Sequence, residues 1–177
     1  MKTYGLSERD LKQMLRTMKS TKRKVSAATE KLVRELLSEG IGYMIKIVPE
    51  DTQYTMMSIT SSYDPETGVG KILVGSEYAI YLEYGTGVVG ARNPHPDPDG
   101  WRYDVNGHGD SGWWYPIESE ERAKHLESLG VRISQNKKTG RWYGFTRGLP
   151  GSAFIYNTAK HLSDIAGDRV KVVLKGV

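Results

Sequence analysis

Apolar residues recur at steps of three to five between residues 22 and 47, and this period predicts one long amphipathic helix. Thr21 is the expected N-cap of this helix, while Gly40 and Gly42 predict an end or a bend near its far side. An unbroken helix of this length would measure roughly 39 Å at ~1.5 Å per residue. The apolar positions that carry the period are Val25, Ala28, Leu32, Leu36, Ile41, Met44 and Val48.

Turn residues and short apolar segments follow Pro49 and predict a small antiparallel sheet. The turn sequence DPETG at 64–68 separates the first two strands, and the polar sequence NKKTG separates a later pair that would form a hairpin. The C-terminal alternation of Val170 and Val172 with basic residues is typical of a half-buried strand. The predicted strands are residues 54–62, 70–75, 113–117, 131–134, 141–145 and 169–176.

The remaining segments complete an α+β fold class, with the long helix packed on the sheet. A short helix is expected over 77–84, and a second helix near the C-terminus is expected from Ser152 to about residue 165. A chain of 177 residues is long enough for one sizeable core and short for two. The predicted organisation is a single domain over residues 1–177, with a helical extension at 1–20 and a long aromatic, Pro- and Gly-rich insertion loop at 88–150.

Composition excludes several classes of protein. The chain has no Cys, which excludes disulfides, thiolate metal sites and cysteine nucleophiles. No apolar run resembles a signal peptide or a membrane span, so the chain is expected to work in solution without a membrane partner. Eleven Tyr and four Trp stand against two Phe, and aromatic side chains with a polar group suit contact surfaces as well as cores.

Gly85, Gly87 and Gly90 have the G-x-G-x-x-G spacing of a dinucleotide-binding loop. Such a loop must lead directly into a helix whose N-terminus faces the pyrophosphate. The sequence after Gly90 is ARNPHPDPDG, and its three prolines are incompatible with that helix. The glycines therefore predict a sharp backbone turn rather than a nucleotide site.

The segment 93–110 is the main candidate for metal chemistry. His95 and His108, with Asp104 or Asp110, would bind a transition metal if the loop folded back on itself, and a metal-dependent hydrolase is one hypothesis. The favoured interpretation is a loop whose Asp and Asn side chains bond to its own backbone. No nucleophile motif is present either, so we expect no enzyme, no cofactor and no catalytic or metal-binding residue.

A basic stretch near the N-terminus has no acidic residue between Asp10 and Glu30. It indicates a solvated helix face, or a contact with nucleic acid or an acidic partner. A nucleic-acid-binding module that uses residues 12–24 is the alternative function. The basic residues are Lys12, Arg16, Lys19, Lys22, Arg23 and Lys24. The tryptophans Trp101, Trp113 and Trp114 are expected to hold the long loop together or to form a protein interface.

Four separated stretches resemble the HK97 gp10-like family of tailed-bacteriophage proteins. Residues 76–87 (SEYAIYLEYGTG), here named the signature segment, are similar to the family's Tyr-Ala-x-x-x-Glu-Tyr-Gly-Thr-Gly signature and are the most specific of the four. The other stretches are VPEDTQYTMMSI (48–59), HPDPDGWRYDVNGHGDSGWWY (95–115) and TRGLPGSAFIYNTAKHL (146–162). The chain departs from the family pattern at Gln53, Met56, Met57, Ser152 and Ala153.

The resemblance implies a non-catalytic α+β subunit of a phage or prophage virion that acts at the head–tail junction as a tail-completion or neck protein. It implies self-association, with a ring as one form, contacts with neck and tail-terminator proteins, and non-specific contact with packaged DNA. The implied location is the virion neck, and the host cytoplasm during assembly. The motif residues carried over are Tyr78, Ala79, Tyr81, Glu83, Tyr84, Gly85, Thr86, Gly87, Phe154, Tyr156, Asn157 and Thr158. Lys22, Arg23 and Lys24 join the three tryptophans as candidate interface residues.

Overall fold

The computed structural model describes residues 8–49 and 53–175 and shows an α+β fold. A long N-terminal helix, two small antiparallel sheets and a helix near the C-terminus confirm the predicted fold class. The helices are α1 (Glu8–Ile47), α2 (Gln53–Met57), α3 (Ala79–Tyr84), α4 (Gly87–Arg92), α5 (Glu120–Ser128) and α6 (Phe154–Leu174). The strands are β1 (Ile59–Asp64), β2 (Val69–Val74), β3 (Trp113–Ile117), β4 (Ile133–Gln135) and β5 (Trp142–Thr146).

The described residues form two compact units. The first, here named the helical unit, contains α1 up to Lys46, Ser58–Val74, and α6 from Asn157 onward. The second, here named the signature unit, contains Ile47–Met57 and Gly75–Tyr156. Each unit has its own sheet, because β1 pairs with β2 in the helical unit and the order β3-β5-β4 forms the sheet of the signature unit.

In the helical unit, the C-terminal half of α1 packs against the β1–β2 hairpin and α6. Gly70 of β2 lies directly on Val33 and Leu37 of α1. Gly40 lies against Ile72 of β2 and Leu162 of α6, where an added Cβ would come within 2.6 Å of Ile72 Cδ1. The sequence predicted an end or a bend at Gly40, whereas the helix continues to Ile47 and the glycine lets two neighbours approach the helix axis closely.

Two other helix predictions need correction. Thr21 is not an N-cap, because it lies inside α1, which joins the two predicted helical segments into one helix of 40 residues. The predicted strand 169–176 is wrong over the described residues, because α6 continues to Leu174. Half-buried side chains at Leu162, Ala166 and Val170 follow a helical period. This longer period, rather than the local alternation, determines the secondary structure of the segment.

The β1–β2 hairpin is confirmed with shifted bounds, since residues 54–57 of the first predicted strand belong to α2 instead. Its turn is held by Asp64, whose side chain accepts hydrogen bonds from Thr67 Oγ1 at 2.7 Å and Glu66 N at 2.9 Å. These donors, the Thr67 hydroxyl foremost, lower the pKa of Asp64. The turn is therefore stabilised by an Asp side chain that accepts hydrogen bonds from the residues that follow it, as is typical of Asp in turns.

The predicted insertion loop at 88–150 contains regular structure in the signature unit. Most of α4, all of α5 and three strands lie inside it. The predicted strand 113–117 and the predicted hairpin are confirmed as β3 and as the β4–β5 pair. Ser119 caps α5 by accepting from Arg122 N at 3.1 Å, and Ala123 on that helix is buried.

Candidate functional site

The centre of the signature unit is the buried carboxylate of Glu83 on α3. Glu83 is 5% exposed, and its Oε2 accepts from Ile155 N at 2.7 Å. Its Oε1 accepts from Tyr156 N at 2.8 Å and from His95 Nε2 at 2.9 Å. The first N–H groups of any helix lack partners within the helix, and a negative charge is favourable at this end. Glu83 therefore caps α6 from a position about 70 residues earlier in the chain.

This cap corrects the prediction for Ser152. Helix α6 begins at Phe154, and both the backbone N and the hydroxyl of Ser152 donate to Leu82 O at 2.8 Å. Ala153 N donates to Glu83 O at 3.0 Å, so the chain before α6 runs along the end of α3. Ser152 thus fixes the approach of the chain to α6, and Glu83 supplies the acceptor for the helix N-terminus.

His95 connects the proline-rich segment to Glu83. The imidazole is buried, and the Nε2–H group donates to the carboxylate, while Nδ1 lies 3.0 Å from Asp97 N and 2.6 Å from Asp97 O. The ring also packs on Tyr84, at 4.4 Å between centroids, and edge-on against Tyr156 at 5.4 Å. The sequence offered His95 as a metal ligand and the resemblance offered Glu83 as a motif residue, and the structure pairs the two side chains with each other.

The other candidate metal ligands lie apart from this pair. Asp104 lies near His108, with Oδ1 3.5 Å from the imidazole Nδ1, and Asp110 pairs with Arg92 at 3.2 Å. Within residues 8–49 and 53–175, no group of three or more His, Asp or Glu side chains is placed to hold a metal ion. The described residues therefore do not assemble the metal site on which the hydrolase hypothesis depends.

The predicted loop tied to its own backbone is present at Asp104. The Asp104 side chain accepts from Gly109 N at 2.7 Å and from His108 N at 3.0 Å. These two donors, Gly109 first, lower the pKa of the Asp104 carboxyl. The acidic residue at 104 therefore has a structural role in shaping the loop.

The glycines of the signature segment form a close backbone crossing with residues 147–151. Thr86 N donates to Leu149 O at 2.9 Å, and Leu149 N donates to Thr86 O at 3.1 Å. Gly85 and Gly87 have φ of +82° and +60°, and a Cβ on either would meet backbone atoms of the other segment. Two of the stretches that resemble the phage family therefore meet in one contact, which we name the glycine crossing (residues 85–87 and 147–151).

A six-residue helix, α4, begins within the glycine motif, where the sequence predicted a loop, and it ends at Arg92 before the first of the three prolines. The structure adds a second argument against the nucleotide interpretation. Gly87 N donates to Tyr103 O and Thr86 N donates to Leu149 O, so these backbone donors are already paired within the unit. Donors that are already paired cannot cradle a pyrophosphate.

Trp101 covers the signature segment from the outside. Its indole Nε1 donates to Gly85 O at 3.0 Å, and its ring stacks on Tyr84 with centroids 5.0 Å apart. Tyr81 contacts the same indole edge-on at 6.0 Å. Trp113 packs on His108 instead, and Trp114 packs on Phe145, so each tryptophan has its own neighbours. The three tryptophans line one open cavity of about 600 Å³.

The remaining predicted site residues divide by burial. Phe154, Thr158 and Ala79 are buried, and Asn157 is half-buried. Tyr78 and Tyr81 of the signature segment are exposed by 58% and 45%. Lys22, Arg23 and Lys24 are exposed on α1, which belongs to the helical unit. The motif residues thus supply both the interior of the site and part of its outer surface.

In comparisons with protein-family models, curated proteins and solved structures, this chain has no match. None of the described helices is long and apolar enough to cross a membrane. The fold and the site define an α+β protein in which a signature-like segment holds a helix N-terminus and a backbone crossing. The resemblance to the phage family stays a prediction, and it enters the proposal below on the residues that carry it.

Proposed function

We propose that this chain is a structural virion-assembly protein of a tailed phage or prophage. In this proposal it acts at the head–tail junction as a tail-completion or neck protein, assembles as an oligomer, and contacts neck and tail-terminator proteins. The observation that carries the proposal is that the two stretches most similar to the phage family, residues 76–87 and 146–162, contact each other. We name this contact the joint. A segment that joins two distant parts of the chain through such contacts has an architectural role, which suits a family of structural subunits.

The local chemistry of the joint supports a non-catalytic role. Both oxygens of Glu83 accept hydrogen bonds, and its His95 partner is itself buried. A general acid or base must reach the proton that it transfers in a bound substrate. A carboxylate that is only 5% exposed and already bonded to a helix N-terminus is poorly placed for that task.

Exposed apolar side chains in the signature unit support self-association. Tyr54 and Met57 lie three residues apart on α2 and are 68% and 86% exposed. Tyr78 and Ile80 extend the set at the start of α3. Paired exposed aromatic and methionine side chains are typical of protein interfaces. The predicted strand 169–176 is helical over its described residues, so those residues offer no strand edge for pairing with a neighbouring subunit.

Light scattering coupled to size exclusion tests the proposal, with negative-stain imaging of the same fractions. We expect the purified chain to form a defined oligomer, alone or with neck and tail-terminator proteins. The double substitution Tyr54→Ser with Met57→Ser should shift the population toward the monomer. The matched control Leu129→Ser, at a residue 56% exposed directly after α5, should leave it unchanged. A monomer under every condition would contradict the proposal.

The nucleic-acid-binding module remains an alternative prediction for residues 12–24. It concerns only α1, where apolar side chains share the exposed surface with the basic ones. Binding that depends on phosphate contacts should fall steeply with salt and should weaken on charge reversal at Lys22, Arg23 and Lys24. Titration of the full chain with a short DNA duplex tests this alternative directly.

A further inference from the structure

The first half of α1 extends beyond the packed part of the helical unit. From Glu8 to Ala27 each side chain whose burial is described is exposed, and half-buried positions begin at Ala28. This stretch is 20 residues long and therefore spans about 30 Å. Most helix stability in proteins comes from packing an amphipathic face. A helix segment this long that has no such packing against the described residues points to a partner.

An apolar stripe runs along this exposed stretch. Its residues follow steps of three, four and seven, the spacing of the a and d positions of a coiled coil. Met14 is 50% exposed and Met18 is 66% exposed, which is unusual for side chains that gain free energy on burial. The stripe consists of Leu11, Met14, Met18 and Val25, with Leu15 beside it. It covers just over two heptads and continues the period of the packed half of α1.

Basic side chains lie both beside the apolar stripe and on the face behind it. With Leu11, Met18 and Val25 at a positions and Met14 at a d position, Lys22 and Lys24 fall at the flanking e and g positions. The outer face carries Lys12, Arg16, Lys19 and Arg23, which follow steps of four and three. Lys12 pairs with Glu8 at 2.5 Å, and none of the other five basic residues has a salt bridge to a side chain that the structure describes. Seven basic and two acidic residues between positions 8 and 27 give this stretch a net charge of +5.

We propose that residues 8–27 of α1 dock an acidic amphipathic helix of another protein. The apolar stripe of the partner would lie along Leu11, Met14, Met18 and Val25, and carboxylates on its flanks would face Lys22 and Lys24. Charge complementarity decides between the possible occupants. A second copy of this chain would set one +5 helix against another, whereas duplex DNA would leave the apolar stripe uncovered. This proposal does not depend on the head–tail function, because it uses only the exposed part of α1.

The experiment measures binding of the full chain to a synthetic three-heptad peptide with Leu at a and d and Glu at the flanking positions. Titration calorimetry should show binding to this peptide and none to a twin peptide with Lys at the flanks. Affinity should fall as NaCl rises from about 50 mM to about 500 mM, because the charges are exposed. The absence of binding to the acidic peptide at low salt would overturn the proposal.

A pair of variants separates the apolar stripe from the charge. Met14→Gln with Met18→Gln keeps the net charge and should weaken peptide binding by about tenfold or more, since both side chains become buried in the complex. The matched control, Ser20→Gln with Ala27→Gln, lies on the opposite side of the helix and should bind like the parent chain. Neither pair should change the thermal unfolding temperature, because all four side chains are exposed.

Two further arms identify the competing occupants. A short DNA duplex that binds more tightly than the acidic peptide, with no loss in the methionine variant, would assign the surface to nucleic acid and overturn the proposal. A self-association that the methionine variant abolishes would assign the surface to a second copy and would overturn it as well. Equal weakening of peptide binding by the variant and the control would also contradict a helix docked on the apolar stripe.

Discussion

Replacing Glu83 with Ala tests the joint between α3 and α6 most severely. The substitution removes the acceptor for Ile155 N, Tyr156 N and His95 Nε2, and all three donors face the buried carboxylate. Each buried donor that loses its partner costs roughly 1–3 kcal/mol. Because the three donors share one acceptor group, their costs do not add fully, and we expect a total loss of about 3–5 kcal/mol in the free energy of unfolding.

Urea unfolding followed by tryptophan fluorescence and far-UV circular dichroism measures this loss. In a chain of this size it corresponds to a fall of roughly 6–20 °C in the thermal midpoint. Glu83→Gln keeps the shape but turns an amide NH₂ toward one of the donors, so it should cost less, about 1–3 kcal/mol. The matched control Glu77→Ala, at an exposed residue of the same segment, should stay within about 0.5 kcal/mol of the parent.

The result that refutes this reasoning is a Glu83→Ala loss no larger than that of Glu77→Ala. A double-mutant cycle adds a second check, since His95→Ala and Glu83→Ala should couple by about 1 kcal/mol or more if the two side chains interact. Additive losses of stability at these two positions would show that His95 does not contribute to the capping of α6 by Glu83. Glu83 would then hold α6 without help from the proline-rich segment.

Two further predictions concern the glycine crossing and the loop that follows it. Gly148→Ala should lower the free energy of unfolding by more than about 2 kcal/mol, because the residue has a positive φ and an added Cβ would overlap Thr86 O. Gly107 also has a positive φ but lies in open space, so Gly107→Ala should cost only about 1–2 kcal/mol. Denaturant unfolding of both variants measures the difference. The pKa of Asp104 is lowered below 3.8 because Gly109 N donates to its carboxylate, so its stabilising effect should be complete above pH 3.8 and should be lost as pH falls through the lowered value. The difference in thermal midpoint between the parent chain and Asp104→Asn should therefore shrink on acidification, and a difference independent of pH would contradict this.

Local sequence patterns predicted the elements that local forces determine. The long period in α1, the turn at Asp64 and the β4–β5 hairpin were recognisable, because their partners lie within a few residues. The bend expected at Gly40 was wrong, since the glycine serves contacts with β2 and α6 that no local window contains. At residues 169–174, alternation over six residues suggested a strand, but the helical period of the whole segment prevailed.

Many residues of the site could be selected from the sequence, but the contacts between them could not be predicted from it. The resemblance selected Glu83, the signature glycines and the stretch at 146–162, but it did not say that these residues contact each other. His95 was singled out as a candidate metal ligand, and its pairing with Glu83 became visible only in the fold. One local clue was available: Ala153, directly before α6, has no side-chain acceptor, so the N–H groups of that helix need an acceptor from elsewhere in the chain.

The head–tail proposal implies that a phage or prophage encodes this chain, and inactivating the gene there tests the proposal most directly. Electron microscopy of the resulting lysate counts joined particles, free heads and free tails. The proposal predicts separate heads and tails, and a return to joined particles when the parent chain is supplied in trans. Joined virions at the normal frequency in the absence of this chain would contradict it.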